Sequence, residues 1–140
     1  MGWYKGAFVD IAHIHPHRAG TGESPLWCDR TQSLWWVDIT GMRLHNLPVA
    51  SGVLQTWQLQ EPVGPIAMTN AGRLVLGLKS GFALFCPQTE ATAFLGAPGP
   101  ERPANRLNDG AVSRGGRFFA ATMSSPAEEA TAALYRLDHG

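Results

Sequence analysis

Short apolar runs recur along the chain, each bounded by polar residues, glycine or proline, and no window of a dozen residues sustains a helical period. Such punctuation predicts short strands joined by tight turns. The runs also repeat. From Pro25 the chain reads "PLWCDRTQSLWWVDITGMRLHNL", and forty residues on, from Pro65, "PIAMTNAGRLVLGLKSGFALFC". Forty-four residues further, from Asp109, comes "DGAVSRGGRFFAATM", followed by "AALYRL". Each unit opens with a short apolar segment (Leu26-Trp27, Ile66-Ala67-Met68, Ala111-Val112). A polar turn follows, then a stronger strand that begins nine residues past the start of the unit, at Leu34, Leu74 and Phe118. Third strands are predicted at 42–47, 82–85 and 133–137, with weaker fourth strands at 53–59 and 91–95.

A recurrence near forty residues with four strands per unit marks the blade of a β-propeller. One blade cannot bury both of its faces, so blades must stack on neighbours about a central axis. A β-sandwich would account for the strand spacing but does not demand the repeated nine-residue offset. The predicted fold is therefore all-β, a partial propeller with about three blades at 20–60, 61–104 and 105–140. Residues 1–19 are expected to supply a closing strand, from Ala7 to His15, and a lead-in. Closed propellers have four to eight blades. The three here are thus expected to pair with a second copy through their open faces or to belong to a longer polypeptide.

A length of 140 residues suits one domain, and 44% apolar residues with five Trp and six Phe exclude a disordered chain. Lys plus Arg equals Asp plus Glu, 11 against 11, without a basic stripe or an acidic tail. That balance argues against nucleic acid or an anionic membrane as partner and leaves small neutral ligands. No apolar run reaches membrane-spanning length and the first twenty residues lack a signal-peptide core, so a soluble, cytoplasmic protein is expected. Cys28 and Cys86 are too few for a disulfide framework and are read as small buried hydrophobes.

"GESPLW" (22–27), "LWWVDITGMRLHNL" (34–47), "NRLNDGAVSRGGRFFAATM" (105–123) and "ALYRLD" (133–138) stand in register. Together they resemble the SMP-30/gluconolactonase/LRE family of regucalcin and the bacterial sugar lactonases. The resemblance covers roughly residues 20–138 and implies a six-bladed propeller. At about 44 residues per blade six blades need roughly 260 residues, so the chain resembles the N-terminal half. It also implies metal-dependent hydrolysis of a sugar lactone, with a divalent ion at the central axis: calcium first, with zinc, magnesium and manganese as the other candidates. By motif, Glu23 matches a metal ligand, Arg106 and Asn108 match substrate-contacting residues, and Met123 matches a position lining the pocket. The family's remaining ligands, an Asn and an Asp, and with them the expected general base, correspond to positions beyond residue 140. At the place where some members carry a substrate-contacting acid this chain has Pro126, with Glu128 and Glu129 close by.

The residue chemistry agrees with these roles. A carboxylate such as Glu23 suits a hard cation, although calcium takes six to eight oxygens and one carboxylate is no site. Arg106 can donate two parallel hydrogen bonds, and Asn108 can both donate and accept, as sugar hydroxyls require. Within "NRLNDG", Asn105, Asp109 and Gly110 are read as turn chemistry. His13, His15 and His17 share a parity that suits zinc, but Pro16 interrupts them and no fourth ligand is evident, so they are read as the polar face of an edge strand. Trp27, Trp35, Trp36, Phe118 and Phe119 are read as packing between blades. No serine stands in a nucleophile elbow. The chain alone is expected to have little or no lactonase activity; the alternative reading is a non-catalytic propeller fragment that binds calcium or a protein.

Overall fold

The computed structural model describes residues 10–126 and 128–138. The apolar runs become eleven strands in three antiparallel sheets. The first sheet runs β1 (Gly22–Cys28), β2 (Ser33–Asp38), β3 (Arg43–Pro48), β4 (Gln55–Gln58) in order from one edge to the other. The second repeats this with β5 (Val63–Met68), β6 (Leu74–Leu78), β7 (Phe82–Phe85) and β8 (Thr92–Gly96). The third consists of β9 (Asn105–Val112), β10 (Phe118–Ser124) and β11 (Leu134–Leu137). Each sheet is a meander, and consecutive sheets meet through their first strands, β1 on β5 and β5 on β9. The all-β, propeller-type expectation is met.

The turns show the repeat at the level of single hydrogen bonds. In the second sheet Thr69 N–H donates to the Arg73 carbonyl (2.8 Å), Gly72 N–H to the Thr69 carbonyl (3.0 Å) and Arg73 N–H to the Thr69 hydroxyl (3.1 Å). In the third sheet Ser113, Gly116 and Arg117 form the same set at 2.9, 2.9 and 3.1 Å. Hydroxyl residues at turn openings favour this local bonding.

Alternation along each strand sorts side chains into two inter-sheet cores. Between the first and second sheets Trp35, Val37 and Leu44 meet Val63, Leu74, Leu76 and Phe85. Trp57 stacks on Trp35 at 5.5 Å and turns its edge to Phe85 at 6.2 Å, joining the sheets. Between the second and third, Ala67, Val75 and Phe82 meet Leu107, Phe118 and Ala120, with Phe82 and Phe118 in edge contact at 6.0 Å. Such aromatic pairs contribute about 1 kcal/mol beyond their buried area.

The first strand of every sheet carries one extra residue. Glu23 faces Val37 and Leu26 faces Trp35, so Ser24 and Pro25 oppose Trp36 alone. Val63 faces Leu78 and Ile66 faces Leu76, so Gly64 and Pro65 oppose Gly77. Leu107 faces Thr122 and Asp109 faces Ala121, which leaves Asn108 unpaired. These are β-bulges, which bend a strand and re-aim its side chains.

Several expectations require correction. β1 and β9 begin at Gly22 and Asn105, well before the predicted Leu26 and Ala111, because bulged polar residues hide the strand period. "NRLNDG" is thus strand rather than turn. Gly110 is required by close packing: a Cβ there would lie 2.6 Å from the Phe119 carbonyl oxygen and 2.9 Å from Pro65 Cβ. Residues 10–19 contain no strand, so the three histidines do not form an edge-strand face; the rest of the expected closing strand, 1–9, lies outside the described residues. Trp27 remains 45% exposed, its indole N–H donating to Asp29, and is a rim residue rather than core. Cys28 is buried and Cys86 half-buried, both as free thiols.

Candidate functional site

The residues singled out for chemistry lie on the innermost strands and their partners. Glu23 sits on β1 immediately before the bulge, exposed, and among the described residues no salt bridge engages it. Asn108 is the unpaired residue of the β9 bulge and is half-buried. Arg106, half-buried two residues earlier, donates from Nη1 to the Leu107 carbonyl at 3.1 Å. Met123 faces Arg106 across the β9–β10 ladder.

The bulges that carry Glu23 and Asn108 are joined through the third. Ser24, at φ 54°, donates its hydroxyl to the Gly64 carbonyl at 3.0 Å. Gly64 in turn packs so tightly on β9 that a Cβ would stand 2.6 Å from the Leu107 carbonyl oxygen and 2.9 Å from that of Asn108. The structure therefore links Glu23 and Asn108 through one hydrogen bond and one close backbone contact.

The remaining polar residues of "NRLNDG" have structural work. Asp109 accepts the Gly110 N–H at 2.8 Å. Asn105 donates to the Thr131 carbonyl at 2.8 Å and accepts from the Thr131 hydroxyl at 2.8 Å, tying β9 to the segment ahead of β11. One rung beyond the Arg106–Met123 pair, the facing Asn105 and Ser124 border an open cleft of about 240 Å³ whose rim includes Pro126, Glu128 and Glu129.

Two buried polar groups in the first sheet escaped the sequence reading. Asp38 is 2% exposed and accepts hydrogen bonds from Gly20 N–H, Thr21 N–H and Gly41 N–H, each at 3.0 Å, and from the Thr40 hydroxyl at 3.2 Å. Burial raises its pKa, but these donors outweigh burial and hold the carboxyl at about 2. His45 is fully buried beside the His17 ring (centroids 4.5 Å apart) and Trp36, with Thr56 on its Nδ1 at 2.9 Å. Burial first, then the neighbouring His17, lower its pKa to about 4. The signal for Asp38 was present in the sequence: a strand-terminal Asp in "VDITG" between glycine-flanked loops suits capture of backbone amides.

A hard divalent cation seeks oxygen donors. Glu23 and the Asn108 side-chain oxygen are donors of that kind. Among the described residues no three His, Cys, Asp or Glu side chains gather as a metal cluster. The donor chemistry fits such an ion, while the shell must be completed by groups other than these two. Among the described residues no helix is long and apolar enough to cross a membrane.

The fold has relatives among known proteins. The chain is 36% identical over 121 residues to 6-deoxy-6-sulfogluconolactonase of Pseudomonas putida, covering 84% of this chain and 40% of that protein. It is 34% identical over 116 residues to regucalcin of Gallus gallus, covering 83% and 39% respectively. The crystal structure of the calcium-binding protein regucalcin from Agrobacterium tumefaciens superimposes with a TM-score of 0.83 at 23% identity, over 89% of this chain and 42% of that one. The chain thus spans about two fifths of the length of the relatives it matches. With the SMP-30/Gluconolactonase/LRE-like region matched over residues 21–140, this chain belongs to that family.

Proposed function

We propose that the chain supplies the N-terminal part of the active site of a metal-dependent sugar lactonase. The observation that carries the reading is the placement of Glu23 and Asn108 at linked bulges of the innermost strands, with Arg106 and Met123 beside them. A divalent ion, when bound, polarises the lactone carbonyl and acidifies a water. Glu23 offers that ion a carboxylate that no salt bridge engages among the described residues. Arg106 spends one N–H on the Leu107 carbonyl and keeps the rest of its donor fork for hydroxyl and ring oxygens of the sugar. Asn108, outside the ladder pairing, orients a substrate hydroxyl as donor and acceptor. Met123 gives the pocket an apolar wall.

The test is hydrolysis of glucono-lactone by this chain alone and by a version extended to the length of its relatives. The extended protein is expected to turn over lactone in a chelator-sensitive manner and to lose at least about tenfold in activity in Glu23→Gln. Robust chelator-sensitive turnover by the 140-residue chain would refute the incomplete-site reading.

A second reading, a non-catalytic binding propeller, is favoured by Pro126 at the position where the family resemblance leads one to expect a substrate-contacting acid. Calcium binding without lactone turnover in the extended protein selects it. Either reading expects self-association through the open face of the third sheet, where Leu134 is 72% exposed. A strictly monomeric chain in sedimentation equilibrium would count against that.

A further inference from the structure

Ser24 is conspicuous because a non-glycine residue at positive φ is strained, and it stands directly before a proline. The local fold holds it there through the β1 bulge and through its hydroxyl, which reaches forty residues along the chain to the Gly64 carbonyl. Gly64 is the extra residue of the next bulge, and its backbone rests on the carbonyls of Leu107 and Asn108 at the third. Three irregularities at the same level of three consecutive sheets therefore touch in series. A bulge by itself fixes only its own strand. A series of contacting bulges fixes the strands relative to one another.

We propose that Ser24 is a positioning residue, whose hydroxyl locks the strand carrying Glu23 to the Gly64 joint and thereby sets the Glu23 carboxylate relative to Asn108. The inference rests on the reading of Glu23 as an ion-facing group. Its chemistry is that of an outer-layer partner, which touches neither ion nor substrate but holds a donor in place. Removal of such partners lowers ion affinity by about tenfold or more. Strain and positioning separate by substitution: Ser24→Ala deletes the hydroxyl and keeps the unfavourable φ, whereas Ser24→Gly deletes the hydroxyl and relieves the φ.

The experiment uses the protein extended to the length of its relatives, since Glu23 and Asn108 alone do not complete an ion's shell, with Ser24→Ala, Ser24→Gly and Glu23→Gln. Two signals are followed: backbone amide shifts by two-dimensional NMR and terbium ion binding by luminescence. Both Ser24 variants are expected to move the Gly64, Leu107 and Asn108 amides and to weaken terbium binding by about tenfold, with Ser24→Gly the more heat-stable of the two. Glu23→Gln is expected to weaken terbium binding while leaving the Gly64 and Asn108 amides in place. If Ser24→Gly leaves both the Asn108 amide and the terbium affinity at wild-type values, the positioning role is overturned. If Glu23→Gln leaves terbium binding unchanged, the ion-facing role of Glu23 falls, and the amide shifts alone decide whether Ser24 couples the strands.

Discussion

The second and third sheets occupy equivalent places in the repeat yet use their strongest strands differently. β6, "LVLGL", is buried at every position: Leu74, Leu76 and Leu78 face the first sheet while Val75 faces the third. β10, "FFAATMS", alternates: Phe118, Ala120, Thr122 and Ser124 are buried, whereas Phe119, Ala121 and Met123 are half-buried. A strand covered on both faces must be apolar throughout, and one covered on a single face need only alternate. The difference shows which sheet is the centre of the stack and which face of the third sheet lies open.

Replacements sharpen that contrast. Leu76→Ala, at the middle of β6, is expected to lower unfolding free energy by about 3 kcal/mol in urea titrations followed by Trp fluorescence, against about 1 kcal/mol for Phe119→Ala on β10. Equal losses would mean the open face is as well packed as the covered one. Gly64→Ala forces a Cβ into the β9 carbonyls and is expected to cost about 2 kcal/mol. Hydrogen exchange should then rise in β9–β11 before it rises in β1–β4.

The first sheet extends the comparison to pH, because it holds the buried Asp38 and His45. His45 is neutral when folded, with a pKa lowered from 6.5 to about 4, so the folded state binds fewer protons than the unfolded one. Its contribution is present above pH 6.5 and is lost as pH falls toward 4, a drop visible in melting temperature and absent in His45→Gln. Asp38, lowered from 3.8 to about 2, contributes above pH 3.8 and fails only as pH falls through about 2. Two acid transitions are expected, the first abolished by His45→Gln and the second by Asp38→Asn. Smallest of all, Leu134→Ser on the open edge strand should change stability by less than about 0.5 kcal/mol.

Much of this architecture could be read from residues. The nine-residue offset located β2, β6 and β10, and the polar turns at Thr69 and Ser113 were visible as turns. The inner strands were shortened in the reading because a bulge breaks the two-residue period: Glu23 to Pro25 and Asn105 to Gly110 look like loop precisely where the strand turns toward its chemistry. The weight placed on Arg106 and Asn108 came from motif resemblance, whereas Asn105's bond to Thr131 and the His17–His45 contact join residues 26 and 28 apart in sequence, beyond the reach of local pattern. Ser24 was passed over for the same reason, since its partner is the carbonyl of Gly64.

One inserted residue per inner strand also resets the in-and-out parity of everything before it. The outer half of the strand can then obey the packing of its sheet while the inner half varies freely in composition. Were Ser24 and Pro25 paired regularly rather than bulged, Glu23, three residues before Leu26, would fall on the opposite side of its sheet without one core side chain being touched. In a fold assembled from copies of one unit, such a phase break lets the rim stay uniform while each copy contributes a different group to the axis.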